Sequence, residues 1–141
     1  MAAEHVELVK RIYDAWGRER SARDFISDDV EYINPSYAVE SGVRHGRSAF
    51  RAVRDTYEDY MLEVDKFIDA GDGRVVVLAR YTGTGRASGI RIEGEQGFLW
   101  TVRDGQAVRF QWFQSHGEAV EAAGLSGGES QNPRESGQRP E

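Results

Sequence analysis

Between Glu4 and Arg18, apolar residues recur at spacings of three and four. Val6, Val9, Ile12, Tyr13 and Trp16 share one stripe, the pattern of an amphipathic helix. Ser21 stands where it would cap a short second helix through Ile26, stopped by Ser27-Asp28-Asp29. Val30-Glu31-Tyr32-Ile33-Asn34 alternates and ends at Pro35, which predicts a short strand. Gly46-Arg47-Ser48 opens a third predicted helix, with Phe50, Val53, Tyr57 and Tyr60 on one stripe. After that the period becomes two. Four strands are predicted: Leu62 to Ala70, Arg74 to Thr84, Ile90 to Arg103 and Ala107 to Ser115. Glu118 to Ala123 reads as a last helical turn or two, ended by Gly124.

Helices first and a meander of long strands afterwards predict an α+β domain with helices on one sheet face. Along Ile90 to Arg103 the even positions carry Ile90, Ile92, Gly94, Gln96, Phe98, Trp100 and Val102, and the odd ones Arg91, Glu93, Glu95, Gly97, Leu99, Thr101 and Arg103. Alternation therefore sends the even set inward. On the last strand Val108, Phe110, Trp112 and Gln114 share a face, and a hairpin at Asp104-Gly105 would set Trp100 near Val108 and Phe98 near Phe110.

Composition bounds the rest. All fifteen aromatics (three Trp, six Tyr, six Phe) lie between Tyr13 and Phe113, and the last large apolar residue is Leu125. Residues 1–125 therefore read as one domain, and 126–141, rich in Gly, Ser, Pro and charge, as a flexible polar tail. A net charge of −6 disfavours a nucleic-acid partner. No run of residues is long and apolar enough for a membrane span, and the first residues lack a secretory pattern. Without cysteine there is no disulfide, thiolate nucleophile or thiolate zinc site, and the three scattered histidines suggest no metal centre. These features predict a soluble, cytoplasmic protein. The Gly83–Gly89 loop joins two strands and so lacks the helix start a phosphate loop needs.

Five segments carry a resemblance: VELVKRIYDAW (6–16), DFISDDVEYINP (24–35), HGRSAFRAV (45–53), LWTVRDGQAVRFQWF (99–113) and EAVEAAGL (118–125). In order and spacing they resemble the SnoaL-like and ketosteroid-isomerase-like group of the nuclear-transport-factor-2-like superfamily. The resemblance implies a conical α+β barrel, a curved antiparallel sheet wrapped around three helices with a pocket between them. It also implies a homodimer formed through the outer sheet face.

Carried over residue by residue, the isomerase pattern matches at Tyr13, the oxyanion donor. It has Asn34 before Pro35 in place of the base, and Phe98 near the place of the protonated acid. The limonene-epoxide-hydrolase pattern matches at Tyr32, Asn34 and Arg80. It has Thr82 and Trp112 where that branch carries carboxylates. The candidate catalytic residues are then Tyr13, donating to an oxygen, Asn34, orienting substrate or water, and Arg80, stabilising negative charge. Trp16, Tyr32, Phe98, Trp100, Trp112 and Gln114 are the candidate substrate-binding residues. His45 and His116 are placed where they could reach the pocket rim.

Two functions fit. One is a cofactor-independent isomerase, cyclase or hydrolase acting on a polyketide-, steroid- or terpenoid-like compound. The other is a non-catalytic dimeric protein that binds a small hydrophobic or aromatic ligand and has lost the proton-transfer carboxylates. Both need no cofactor. The aromatic residues equally fit a packed core with satisfied polar tips, and Arg80 equally fits the outer sheet face.

Overall fold

The computed structural model describes residues 2–18, 20–36, 42–50 and 57–125. The predicted tail lies outside them. The opening stripe forms helix α1 (Ala2–Gly17), with Val9 and Ile12 fully buried. In place of a second helix there is one 3-10 turn, Arg23–Phe25, and strand β1 begins early, at Ile26, and runs to Asn34. Ile26 and Val30 are both buried, as their even spacing in a strand places them on one face, and the register slips between Ile26 and Glu31.

Residues 51–56 of the third predicted helix lie outside the described residues. A 3-10 turn, Arg47–Phe50, follows strand β2 (Gly42–His45), and Val53 lies outside the described residues. Tyr57 and Tyr60 instead belong to strand β3 (Tyr57–Gly71). There the register shifts between Glu58 and Met61, and Asp59 takes φ 54°.

The remaining strands fall within a few residues of their predicted limits: β4 (Arg74–Gly85), β5 (Arg91–Arg103) and β6 (Gln106–Phe113). Helix α2 (His116–Ala122) closes the fold, and the Ser115 hydroxyl caps it by accepting from Glu118 N at 3.2 Å. The Asp72-Gly73 and Asp104-Gly105 turns hold positive φ at both residues, as two-residue hairpins require. The six strands run in the order β2-β1-β6-β5-β4-β3 as one curved, unclosed sheet. It is mixed: β1 pairs with β6 in parallel, and the other pairs are antiparallel.

Both faces of the sheet are covered, which corrects the expectation of helices on one side. Val75, Val77, Phe98, Trp100 and Phe110 meet α1 on the concave face. Val76, Leu99 and Phe113 meet Ala119 of α2 and Ala123 just past its end on the other. The unbroken apolar run Val75–Leu78 is the sequence trace of that double burial. The β5–β6 register also differs from expectation by two. Trp100 faces Phe110 and Phe98 faces Trp112, because an irregularity at Thr101/Val102 passes the core position to Ala107 and leaves Val108 half-buried.

Candidate functional site

Sheet register arranges the concave face in rows. The deepest relevant row is Val75–Trp100–Phe110–Tyr32. Above it come Val77, Phe98 and Trp112, with Asn34 one residue beyond the Ile33–Gln111 pair on the same side. The next row pairs Ala79 with Gln96. None of Ala79, Gln96, Phe98, Trp112 and Asn34 carries a group that titrates near neutrality.

The lower row is core. Trp100 is fully buried and stacks on Phe50 at 5.8 Å, and its ring meets Tyr13, Trp16 and Phe110. Tyr32 is 6 % exposed between Phe50 and Phe110. Trp16 also packs into this cluster. These three side chains therefore build the wall from behind. Phe98, also buried, joins the wall to Tyr13 at a ring distance of 6.1 Å.

Two hydrogen bonds organise the rim. Trp100 Nε1–H donates to the Tyr13 hydroxyl oxygen at 2.9 Å, and Trp112 Nε1–H donates to Asn34 Oδ1 at 2.6 Å. Because Phe98 touches Tyr13 and is paired with Trp112, the two bonded pairs stand side by side on one face. An indole N–H only donates. The Tyr13 oxygen therefore accepts, and its own proton is left for another partner. Gln96 and Tyr60, not singled out from the sequence, add a third polar contact, Tyr60 Oη to Gln96 Oε1 at 3.4 Å. Even parity placed Gln96 on this face. Tyr60 was hidden by the bulge that made its strand look helical.

Arg80 is not part of this group. It is exposed on the opposite face of β4, where Nε and Nη2 bond Asp65 at 2.8–3.2 Å and Nη2 meets Glu63 at 3.3 Å. Arg80 beside it holds the Asp65 carboxyl below its usual range. A charge in mid-strand is tolerated there because it is paired and wet. The pocket role expected of Arg80 is accordingly withdrawn. The groove beside it, about 690 Å³ and lined by Met61, Glu63, Arg80, Glu93 and Glu95, opens on that outer side. Its cation is already engaged by carboxylates, so the concave rim is the stronger candidate.

Gln114 is exposed past the end of β6. His45 pairs with Glu31 on the outer side of β1, and His116 Nε2 contacts Ala79 O at 2.8 Å beside α2. The histidines thus lie away from the rim. Among the described residues, no group of three or more His, Asp or Glu could hold a metal ion. No helix among them is long and apolar enough to cross a membrane.

The model of the SnoaL-like domain matches residues 9–110. The chain belongs to the SnoaL-like family. Among solved structures, this SnoaL-like chain is similar to an NTF2-like protein from Burkholderia thailandensis E264. The two are 26 % identical, with a TM-score of 0.69, over 86 % of this chain and 97 % of the other. A candidate SnoaL-like polyketide cyclase from Jannaschia sp. CCS1 is also 26 % identical, with a TM-score of 0.68 over 86 % of this chain and 91 % of its own. TerC, crystallised with polyporic acid, is 22 % identical with a TM-score of 0.65, over 84 % and 98 %, a likeness of fold. No curated protein matches the chain.

Burial sets the protonation of the site. It pushes the Tyr13 phenol well above its ordinary 10.0, partly opposed by the bond from Trp100, and pushes Tyr32 to about 12. Tyr13 is therefore a neutral donor throughout the physiological range. The sign for stability follows. Above pH 10.0 the unfolded chain releases tyrosine protons that the folded state retains, so stability should hold below that pH and fall above it. Urea denaturation at stepped alkaline pH checks this, and Tyr13→Phe should make the fall shallower.

Proposed function

We propose that this SnoaL-like protein binds a flat, aromatic, carbonyl-bearing small molecule on its concave face and polarises that carbonyl through Tyr13. The supporting observation is the Trp100–Tyr13 bond. It occupies the phenol oxygen as an acceptor and leaves a neutral O–H, beside an aromatic wall, free to donate. Asn34 and Trp112 lie on the same sheet face, and a planar ligand there would lie against Phe98 and Trp112.

A catalytic reading uses the same donor on an enolate-like oxygen, in cofactor-independent isomerisation, cyclisation or hydrolysis of a polyketide-, steroid- or terpenoid-like compound. Its support is the likeness to the candidate polyketide cyclase. It requires a proton acceptor, which Asn34, Phe98 and Trp112 do not supply. The binding reading asks for no such group and is preferred.

Three tricyclic probes of similar size test it: 9-fluorenone, with one acceptor oxygen, fluorene, with none, and carbazole, with one donor N–H. Tryptophan fluorescence titration should show fluorenone binding about 5–10-fold more tightly than fluorene, the worth of one hydrogen bond. Tyr13→Phe should abolish that ratio and leave fluorene affinity nearly unchanged. Equal affinities in the wild-type protein, or a ratio that survives Tyr13→Phe, would overturn the reading. Turnover of a carbonyl substrate lost in Tyr13→Phe would favour the catalytic reading.

A further inference from the structure

The second rim bond carries more than packing. Asn34 has one acceptor oxygen and one two-proton donor on a freely turning amide, so its polarity toward a ligand depends on what holds it. Trp112 settles that choice. Its indole N–H cannot accept, so the atom 2.6 Å away must be Oδ1. The Nδ2 protons are thereby left on the other side of the amide. The bond spans the parallel β1–β6 pairing and is partly buried. Water therefore competes with it less than on an open surface.

We propose that Trp112 is a positioning residue that makes Asn34 an obligate hydrogen-bond donor, so that the site selects a ligand with a second acceptor oxygen beside the one met by Tyr13. This rests on the carbonyl-binding reading above and deepens it. Position 34, where the resemblance implies a proton-accepting Asp or a water-orienting Asn, becomes here a specificity determinant against ligands that present a donor. The chemical class is an aromatic compound with two acceptor oxygens, such as a quinone or a diketone.

The test separates the proposal from its foundation. In the wild-type protein fluorenone should bind more tightly than carbazole, whose N–H meets only donors along the rim, the Tyr13 hydroxyl and the Asn34 amide nitrogen. Trp112→Phe keeps an aromatic wall and frees the amide to turn its oxygen outward. The fluorenone-to-carbazole ratio should then fall about 5–10-fold, chiefly through tighter carbazole binding. The fluorenone-to-fluorene ratio, set by Tyr13, should stay as it was. A uniform loss of affinity for all three probes, or an unchanged carbazole ratio, would show that Trp112 only packs and would overturn the proposal. Failure of the foundation looks different: the wild-type fluorenone-to-fluorene ratio is then one.

Asn34→Asp is the second variant, needed should Trp112→Phe fail to fold. One carboxylate oxygen keeps the bond from Trp112, and the other presents an acceptor where the wild-type protein presents a donor. Preference should reverse toward carbazole. An unaltered preference in Asn34→Asp would mean that residue 34 does not face the ligand as a donor, and would overturn the proposal independently.

Discussion

Trp100→Ala should cost about 3–5 kcal/mol of folding stability, the range for removing a fully buried large aromatic, and lower the melting temperature by roughly 10–20 °C. The side chain has no exposed surface and meets Tyr13, Trp16, Phe50 and Phe110 within 4.7–6.0 Å between ring centres. Those rings come from α1, the Arg47–Phe50 turn and β6, so one deletion loosens three elements at once. Their backbones cannot all close on the space, and the cavity term therefore adds to the lost transfer energy. Trp100→Phe should cost much less, because most of the ring contact survives, yet it removes the donor to Tyr13. Urea denaturation of both variants, read by circular dichroism, separates the packing contribution from the hydrogen bond. Equal losses in the two would mean that the indole N–H, not the ring, carries the stability.

The same comparison shows how far residue order alone reaches. Period-two alternation placed Phe98, Trp100 and Gln96 on one face of β5, and the Asp104-Gly105 pair marked the turn after it, because a strand with one apolar face leaves little freedom of register. It failed wherever a bulge changed the count. Tyr57 and Tyr60, three apart, carry helical spacing inside an extended strand whose register shifts between Glu58 and Met61. A bulge is a property of two paired strands, so one strand's own sequence does not announce it.

The site was legible in a similar proportion. Tyr13, Asn34 and Trp112 were singled out and lie along one rim. Arg80 was drawn in by family pattern, although its even position beside Val76 and Leu78 sets it on the α2 face. Its partners Asp65 and Glu63 come from β3, across a pairing that only the fold reveals. The donor-only character of the two indoles was present in the residue types. What they bond to depends on contacts 87 and 78 residues apart in the chain.

Gly97→Ala should destabilise the protein by about 1–3 kcal/mol, the cost of overpacking, through the outer face and without touching the aromatic cluster. A Cβ at position 97 would stand 2.4 Å from the Ala119 Cβ and 3.0 Å from the Ser115 carbonyl oxygen. Neither neighbour is the loose end of a long side chain. Ala119 is fully buried in α2, and Ser115 caps that helix, so the helix must lift as a body. Reciprocal shortening should relieve the strain. Ala119→Gly alone weakens α2 by about 1 kcal/mol in helix propensity, yet the double variant should be more stable than the sum of the two losses. A double-mutant cycle by urea denaturation, with hydrogen exchange at the α2 amides, measures that coupling. Strict additivity would mean that α2 does not bear on Gly97. The effect reaches the rim as well: α2 holds the end of β6 through Phe113, the residue next to Trp112. Lifting the helix should therefore lower the fluorenone-to-carbazole ratio along with stability, and Ala119→Gly should restore both together.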